Sequence, residues 1–454
     1  MTRSAQTSAP ASGETPRALA AVARFFDLRG RGSTFGRELR GGLATFLTMS
    51  YILFANPNIL MAAGVPFAPA VACTALGAGV VCILMGLAAN FPIALASGMG
   101  LNAIVAMQLA PKTGSWQAAM GLVVLDGLVV LILVLVGLRE AVMHAIPRSL
   151  RLAIGAGIGL FIAFLGLVNA KIVAPGPSAA APLTFGRVND PATIVALAGL
   201  ALTAALMIWR VKGALVIGIL AATGLGLAIG VAHWPKELGR PQFDILFKAD
   251  LGTALQLKFL PLLFAIMIVD FFDTLGTATA IAEQAGLQGA NGQIPRLRNV
   301  LIVDSLGAAI GGWFGVSSVT CYIESAAGVA EGARTGLHSV VVGVLFLLAI
   351  LLAPLAAVVP AAATAPALIL VGFLMIGQMV RIDFDDLETA IPAFITLLLI
   401  PLTYSIAHGI GYGFIAFTVL KILRGKYRDV HPLMHAVSAA FAAYFVWQGW
   451  HPGY

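Results

Sequence analysis

The sequence predicts an all-α polytopic membrane protein with fourteen transmembrane segments arranged as a seven-plus-seven inverted repeat. Three observations predict it. Of 454 residues, 59% are hydrophobic and only 10% are charged, where a soluble domain carries about 25%. Apolar stretches near the roughly 20 residues needed to cross a bilayer recur along the chain. Positive charge collects at alternate ends of those stretches, as cytoplasmic loops require. A water-soluble enzyme, a disordered chain and a disulfide scaffold are excluded at once. The 50 Gly and 23 Pro suit packed and interrupted membrane helices. Cys73, Cys82 and Cys321 lie in apolar runs with no metal-binding spacing and read as small core residues. The net charge of +7 sits at segment ends, so it reports topology and not a nucleic-acid surface.

Residues 1–40 form a polar tail with seven Arg against Glu14, Asp27 and Glu38. It lacks the apolar run of a signal peptide and is expected to stay in the cytoplasm. The segments follow at 41–62, 67–90, 92–109, 116–138, 149–170, 190–210, 213–233, 257–282, 299–315, 316–329, 336–353, 365–380, 389–407 and 409–424. With the N-terminus inside, even-numbered segments end in the cytoplasm. There stand Arg139, Arg148 and Arg151, then Arg210 and Lys212, Arg296 and Arg298, Arg334, Arg381, and finally Lys421, Arg424, Lys426 and Arg428. The long loops 171–189 and 234–256 fall outside. The leftover stretch 432–450, with His435, Trp447 and Trp450, reads as an interfacial helix in a C-terminal segment, 425–454.

Seven is odd, so the two halves enter the membrane from opposite sides. The third segment of each half is short and rich in small polar residues: Asn90-Phe-Pro-Ile-Ala-Leu-Ala-Ser-Gly-Met-Gly-Leu-Asn102 and Gly315-Val-Ser-Ser-Val-Thr-Cys-Tyr-Ile-Glu-Ser325. Paired interrupted segments at matching positions point to a midplane site. Extended backbone at that depth survives only when buried or lining a cavity. Helix N-termini meeting there offer free N–H groups and partial positive charge.

Charges at bilayer depth are costly and therefore candidates. Asp270 lies near the middle of 257–282, and Asp273, Thr274 and Thr277 follow on the same helix face. Glu324 lies inside the second short segment, Asp126 within 116–138, and Asp304 near the start of 299–315. No Lys or Arg stands at comparable depth, so five carboxylates cannot all be ionised in a low dielectric. They are neutral, exchange protons, or bind a cation or an N–H-bearing ligand. The plainer reading of Asp126 is an interhelical hydrogen bond; that of Asp304 is a first-turn acid favoured by the helix dipole. His408 falls in a turn between segments, and Asn56-Pro57 marks a kink.

These residues resemble a known family. The stretches Gly42–Pro57, Gly98-Met-Gly-Leu-Asn-Ala103, Asp270-Phe-Phe-Asp-Thr-Leu-Gly-Thr277, Val303-Asp-Ser305, Ser317–Ser325 and Gly332-Ala-Arg-Thr-Gly336 look like those of the nucleobase–cation symporters of the xanthine/uracil permease superfamily, adenine/guanine/hypoxanthine branch. The resemblance runs from about residue 25 to 430. It implies a core domain (41–138 and 257–353), a gate domain (149–233 and 365–424) and a homodimer joined through the gate. It implies proton symport of purine nucleobases by elevator-like alternating access in the inner (plasma) membrane, with both termini cytoplasmic and no cofactor. Carried onto this chain, Asn102, Asp270 and Glu324 contact the base, with Phe272, Thr277 and Ser325 beside it, and Asp273 and Glu324 couple the proton. The roles of Asp270 and Asp273 are interchangeable at this stage. A purine carries N–H donors beside ring-nitrogen acceptors and two flat faces. Carboxylates accept from the first, an amide both donates and accepts, and Phe271, Phe272 or Tyr322 offers a stacking surface.

Two other classes compete. An anion transporter of the sulfate or bicarbonate type wants cationic or purely dipolar sites, whereas this one is acidic. An intramembrane hydrolase wants two facing carboxylates or a Ser–His pair, and acids three residues apart on one helix do not face each other.

Overall fold

The computed structural model describes residues 17–137, 145–178, 181–234, 239–288 and 294–450; the first sixteen residues of the expected tail and Arg139 lie outside them. In chain order the elements are α1 (Arg17–Phe25), α2 (Phe35–Met49), α3 (Ile52–Leu60), α4 (Phe67–Leu84), β1 (Leu95–Ser97), α5 (Met99–Ile104), α6 (Trp116–Leu135) and α7 (Arg148–Asn169). The hairpin β2 (Val173–Ser178) and β3 (Ala181–Phe185) leads to α8 (Pro191–Ile208) and α9 (Ala214–Ala228). Then come α10 (Leu260–Gln284), α11 (Leu297–Trp313), β4 (Val319–Cys321), α12 (Ser325–Ala330) and α13 (Gly336–Ala349). The chain closes with α14 (Ala361–Ile376), α15 (Leu387–Leu402), α16 (Ile406–Leu423) and α17 (Pro432–Trp450).

Among the described residues, nine helices are long and apolar enough to cross a membrane: Phe35–Ala63, Phe67–Ala89, Trp116–Leu135, Arg148–Asn169, Pro191–Ile208, Leu257–Gln284, Gly336–Val358, Ala361–Arg381 and Ile406–Leu423. Ala214–Ala228 and Leu387–Leu402 are apolar but shorter. The expected third segments of the two halves are not whole helices but a strand followed by a short helix, which lowers the number of full-length spans. Polar caps set several starts. Ser115 accepts from Ala118 N–H, Thr34 from Arg37 N–H and Ser405 from His408 N–H.

The first expected segment is broken between Met49 and Ile52. Pro57, inside α3, has no N–H for the carbonyl one turn back and crowds that turn. Asn56 does more than mark the kink: its amide donates to Thr74 Oγ1 (2.8 Å) and to the Val316 carbonyl (3.3 Å).

Small residues let backbones touch. A Cβ on Gly343 of α13 would stand 2.6 Å from the Gly79 carbonyl of α4, and one on Gly372 of α14 would stand 2.4 Å from the Gly159 carbonyl of α7. Such contacts replace the hydrophobic drive that lipid cannot supply. Helix α6 packs on α10 and α11, and α2 on α12 and α13. Helix α14 packs on α7, α8 and α9, and α15 on α7 and α16.

Two local readings change. Asp304 lies seven residues into α11 and is buried, too deep to be a first-turn acid; its carboxylate instead accepts from Thr320. His408 is not in a turn but in the first turn of α16, where its Nε2 meets Gln448 Oε1 of α17 at 2.9 Å. The stretch 432–450 is a helix whose Met434, Ser438, Phe441 and Tyr444 are buried, and it packs along α16. The loop 171–189 contains the β2–β3 hairpin, which nothing in the hydropathy announced.

Glu38, assigned above to a polar tail, is fully buried in α2. Its carboxylate accepts from Ser33 Oγ, from Arg334 N–H (2.9 Å) and from His338 N–H (3.2 Å), fastening the start of α13. Glu38→Ala leaves these donors without a partner, at about 1–3 kcal/mol for each buried group. The variant is expected to lose on the order of 3 kcal/mol, read as a lowered unfolding midpoint in detergent.

Lys212, between α8 and α9, pairs with Glu331, between α12 and α13. The hydrogen bond and charge of Lys212 hold the Glu331 carboxyl below its ordinary value of 4.5. A depressed carboxyl stabilises the fold above that ordinary value and loses its contribution as pH falls. The Glu331→Gln variant is therefore expected to melt below the parent at pH 7 and with it at pH 3.

Candidate functional site

The two interrupted segments cross as predicted. After α4 the chain turns at Asn90 (φ 47°) and runs extended through β1; after α11 it turns at Gly315 and Ser317 (φ 72° and 68°) and runs extended through β4. The strands pair antiparallel, with Leu95 opposite Cys321, Ala96 opposite Thr320 and Ser97 opposite Val319. Gly98 N–H donates to the Ser318 carbonyl (2.8 Å) and Tyr322 N–H to the Ala94 carbonyl (3.0 Å), extending the ladder at both ends. Each strand thus pairs with the other's backbone where every residue of both is buried. Helices α5 and α12 start from this crossing without a side-chain cap, so their first N–H groups and positive dipole ends point at it.

Helix α10 closes the third side, packing on α5, β4 and α12. Asp270 is fully buried on it and accepts from Ser318 Oγ at 3.2 Å. Thr274 Oγ1 lies 2.9 Å from Thr320 Oγ1, which donates to Asp304 at 3.2 Å. Glu324, half-buried at the head of α12, accepts from the Tyr51 hydroxyl at 2.8 Å. Asn102 on α5 is fully buried, and neither its side-chain nitrogen nor its oxygen has a hydrogen-bond partner. A buried amide in that condition is rare and asks for a ligand or water.

Ser325 is engaged: it accepts from Ala94 N–H (2.9 Å) and donates to the Tyr322 carbonyl (2.7 Å), stitching the two segments together. Thr277 lies on α10, half-buried. Phe272 and Asp273 are on the same helix, but their side chains lie outside the described residues. Tyr322 is buried at the crossing and its hydroxyl donates to the Ser97 carbonyl. Asp126 is buried on α6 beside Gly127, which abuts Ser305 and Ala309 of α11. Cys73, Cys82 and Cys321 are all buried. Among the described residues no group of three or more His, Cys, Asp and Glu would hold a metal ion.

Sequence reasoning missed Tyr51, Ser318 and the Thr274–Thr320–Asp304 chain. Tyr51 and Glu324 are 273 residues apart, and no hydropathy signal joins them. Ser318 and Thr320 were visible only as part of a polar run.

A bundle of apolar helices holding carboxylates and an unpartnered amide where two broken helices cross is the design of a polytopic membrane permease. The chain belongs to the permease family whose model, Xan_ur_permease, matches residues 36–412. It is 40% identical over 437 residues to the guanine/hypoxanthine permease PbuG of Bacillus subtilis, covering 93% of this chain and 99% of that one. It is 39% identical over 421 residues to the adenine permease AdeP of Escherichia coli, covering 92% and 94%. Its fold is similar to the transmembrane domain of the cyanobacterial bicarbonate transporter BicA, with a TM-score of 0.62 and 16% identity over 82% of this chain and 96% of that domain.

Proposed function

We propose that this permease carries purine nucleobases (adenine, guanine or hypoxanthine) into the cell by proton symport. The observation that supports it most is the buried Asn102 amide without a partner, on the helix that α10 packs against and that starts from the β1–β4 crossing. An amide pairs both ways with a heterocycle edge that carries N–H and ring nitrogen side by side. Asp270 and Glu324 accept the base's remaining N–H groups, with Thr277 and Phe272 beside them. Glu324, partly accessible and bonded to Tyr51, takes the proton together with Asp273. Protonation on the side where the base enters lowers the cost of burying the charge, so proton and base move together. The names of the relatives, guanine/hypoxanthine and adenine permeases, agree with this substrate class.

The same reading has fourteen membrane segments in two inverted halves, a core from 41–138 and 257–353, and a gate from 149–233 and 365–424. Antiparallel pairing of the two third segments supports it, since inverted halves bring equivalent elements face to face. So does Gly100 of α5, whose Cβ position lies 3.0 Å from Ile158 of α7 and 3.3 Å from Ile406 of α16: the small residue leaves a smooth surface where core would slide past gate. A homodimer through the gate, a plasma-membrane location and cytoplasmic termini complete the proposal.

The test is uptake of labelled adenine, guanine and hypoxanthine into vesicles containing the protein. Uptake is expected to be driven by an inward proton gradient and to fall to the level of empty vesicles when a protonophore is added. Uptake indifferent to the gradient removes the coupling. Failure to take up any purine, with accumulation of bicarbonate or sulfate instead, overturns the substrate class.

A further inference from the structure

A cavity of about 590 Å³ lies between the start of α7, the side of α16 and the start of α17, remote in sequence from the crossing. Among the described residues Arg148, Arg151, Arg428 and His431 line it, against the one carboxylate of Asp429. Helix α7 begins there with no side-chain cap, no acid in its first turn, and Arg148 and Arg151 in the places where acids are favoured. The positive-inside rule accounts for arginines at this end of a segment, but such residues need only reach water. It does not account for Arg151, whose Nε is buried and has no hydrogen-bond partner. Arg151 is half-buried with its Nε turned into the protein, so its guanidinium is held in place, and a helix N-terminus bearing two arginines adds like charge to like. An anion with several oxygens, taken by the guanidinium groups that line the cavity and by the N–H groups of the α7 start, offsets that repulsion.

We propose that this cavity is a binding site for a phosphate group. The site joins α7 to the loop before α17, so its occupant ties the C-terminal helix to the bundle. Two sources present that chemistry, the headgroup of an anionic phospholipid and a soluble phosphate. The fold brings Arg428 to Arg148 and Arg151 across more than 270 residues, which is why no motif announced it.

The test uses the full-length purified protein in detergent and reads its unfolding midpoint. Phosphatidylglycerol is titrated in one arm, with phosphatidylcholine as its control. Inorganic phosphate is titrated in the other, with sodium chloride at equal ionic strength. A saturable rise with phosphatidylglycerol alone supports the site and assigns it to membrane lipid. A saturable rise with inorganic phosphate as well supports it and assigns it to a soluble ligand. In either case Arg151→Gln and Arg428→Gln are expected to weaken the apparent affinity about tenfold or more, while Arg210→Gln leaves it unchanged. Arg428 is exposed, so its variant folds even should the Arg151 variant not. No rise with either probe, or an equal rise in the Arg428 variant and the parent, overturns the proposal.

Discussion

Glu324→Gln is expected to cut nucleobase uptake by about 100-fold while leaving the folded protein intact. A hydrogen bond to a charged group contributes about 1.5–3 kcal/mol, and each 1.4 kcal/mol is tenfold in an equilibrium. Glutamine keeps a carbonyl oxygen where Glu324 Oε1 accepts from Tyr51, so the contact between α12 and the α2–α3 break survives. What it removes is the negative charge and the exchangeable proton. The residual uptake of the variant should therefore no longer respond to a proton gradient. Asp270→Asn follows the same logic on α10, since the amide oxygen still accepts from Ser318. Tyr51→Phe keeps the carboxylate and removes only its donor, and about a tenfold loss is expected. Uptake in vesicles, with size-exclusion profiles to show that the variants fold, decides the matter. If the Glu324 and Asp270 variants both transport at parental rates, the substrate site lies elsewhere.

Much of the arrangement behind this expectation was legible in the sequence, and the reason is local. A membrane segment declares itself by length and apolarity, and its interruption declares itself by glycines and hydroxyl residues within the run. Hence the residues of both broken segments and the carboxylates Asp270 and Glu324 could be read directly. Glu38 could not. It stands in an Arg-rich stretch, and its burial depends on the start of α13 folding back from 296 residues away to supply the Arg334 N–H. Asp304 was misread for a related reason. Helix α11 begins at Leu297, ahead of the expected segment start at 299, and a partner of the carboxylate, Thr320, lies on a strand at the crossing. Ser325, which the resemblance places beside the base, also has its hydroxyl bonded to the backbone of both segments, and nothing in the local sequence shows that. Polar residues at depth are visible one by one; whether each faces a ligand or its own fold is decided by contacts between distant segments.

The second large effect is expected at Gly311, where fold and site meet. Helix α11 carries β4 on its flank, and the glycine at 311 lets the two backbones touch. A Cβ there would stand 2.0 Å from the Ser317 carbonyl oxygen and 3.0 Å from the Val319 amide nitrogen. Both obstacles are backbone, so no side chain can swing aside. Ser317 already holds φ at 68°, a left-handed conformation with little room to adjust. Gly311→Ala must therefore push the turn and β4 off the helix. That shift carries Ser318 away from Asp270, Thr320 away from Asp304 and Thr274, and the whole strand away from β1. Overpacking a tight core costs about 1–3 kcal/mol, and here the loss of several buried hydrogen bonds adds to it, so a loss on the order of 4 kcal/mol is expected. Gly224 of α9, in open space with no heavy atom within 4 Å, is the contrast. There the same substitution adds helix propensity without a clash, and a gain of about 0.5–1 kcal/mol is expected with uptake unchanged. Unfolding midpoints and vesicle uptake of the two variants, measured side by side, test the point. Equal behaviour of Gly311→Ala and Gly224→Ala would mean that β4 is not held against α11 and that the crossing does not depend on this contact.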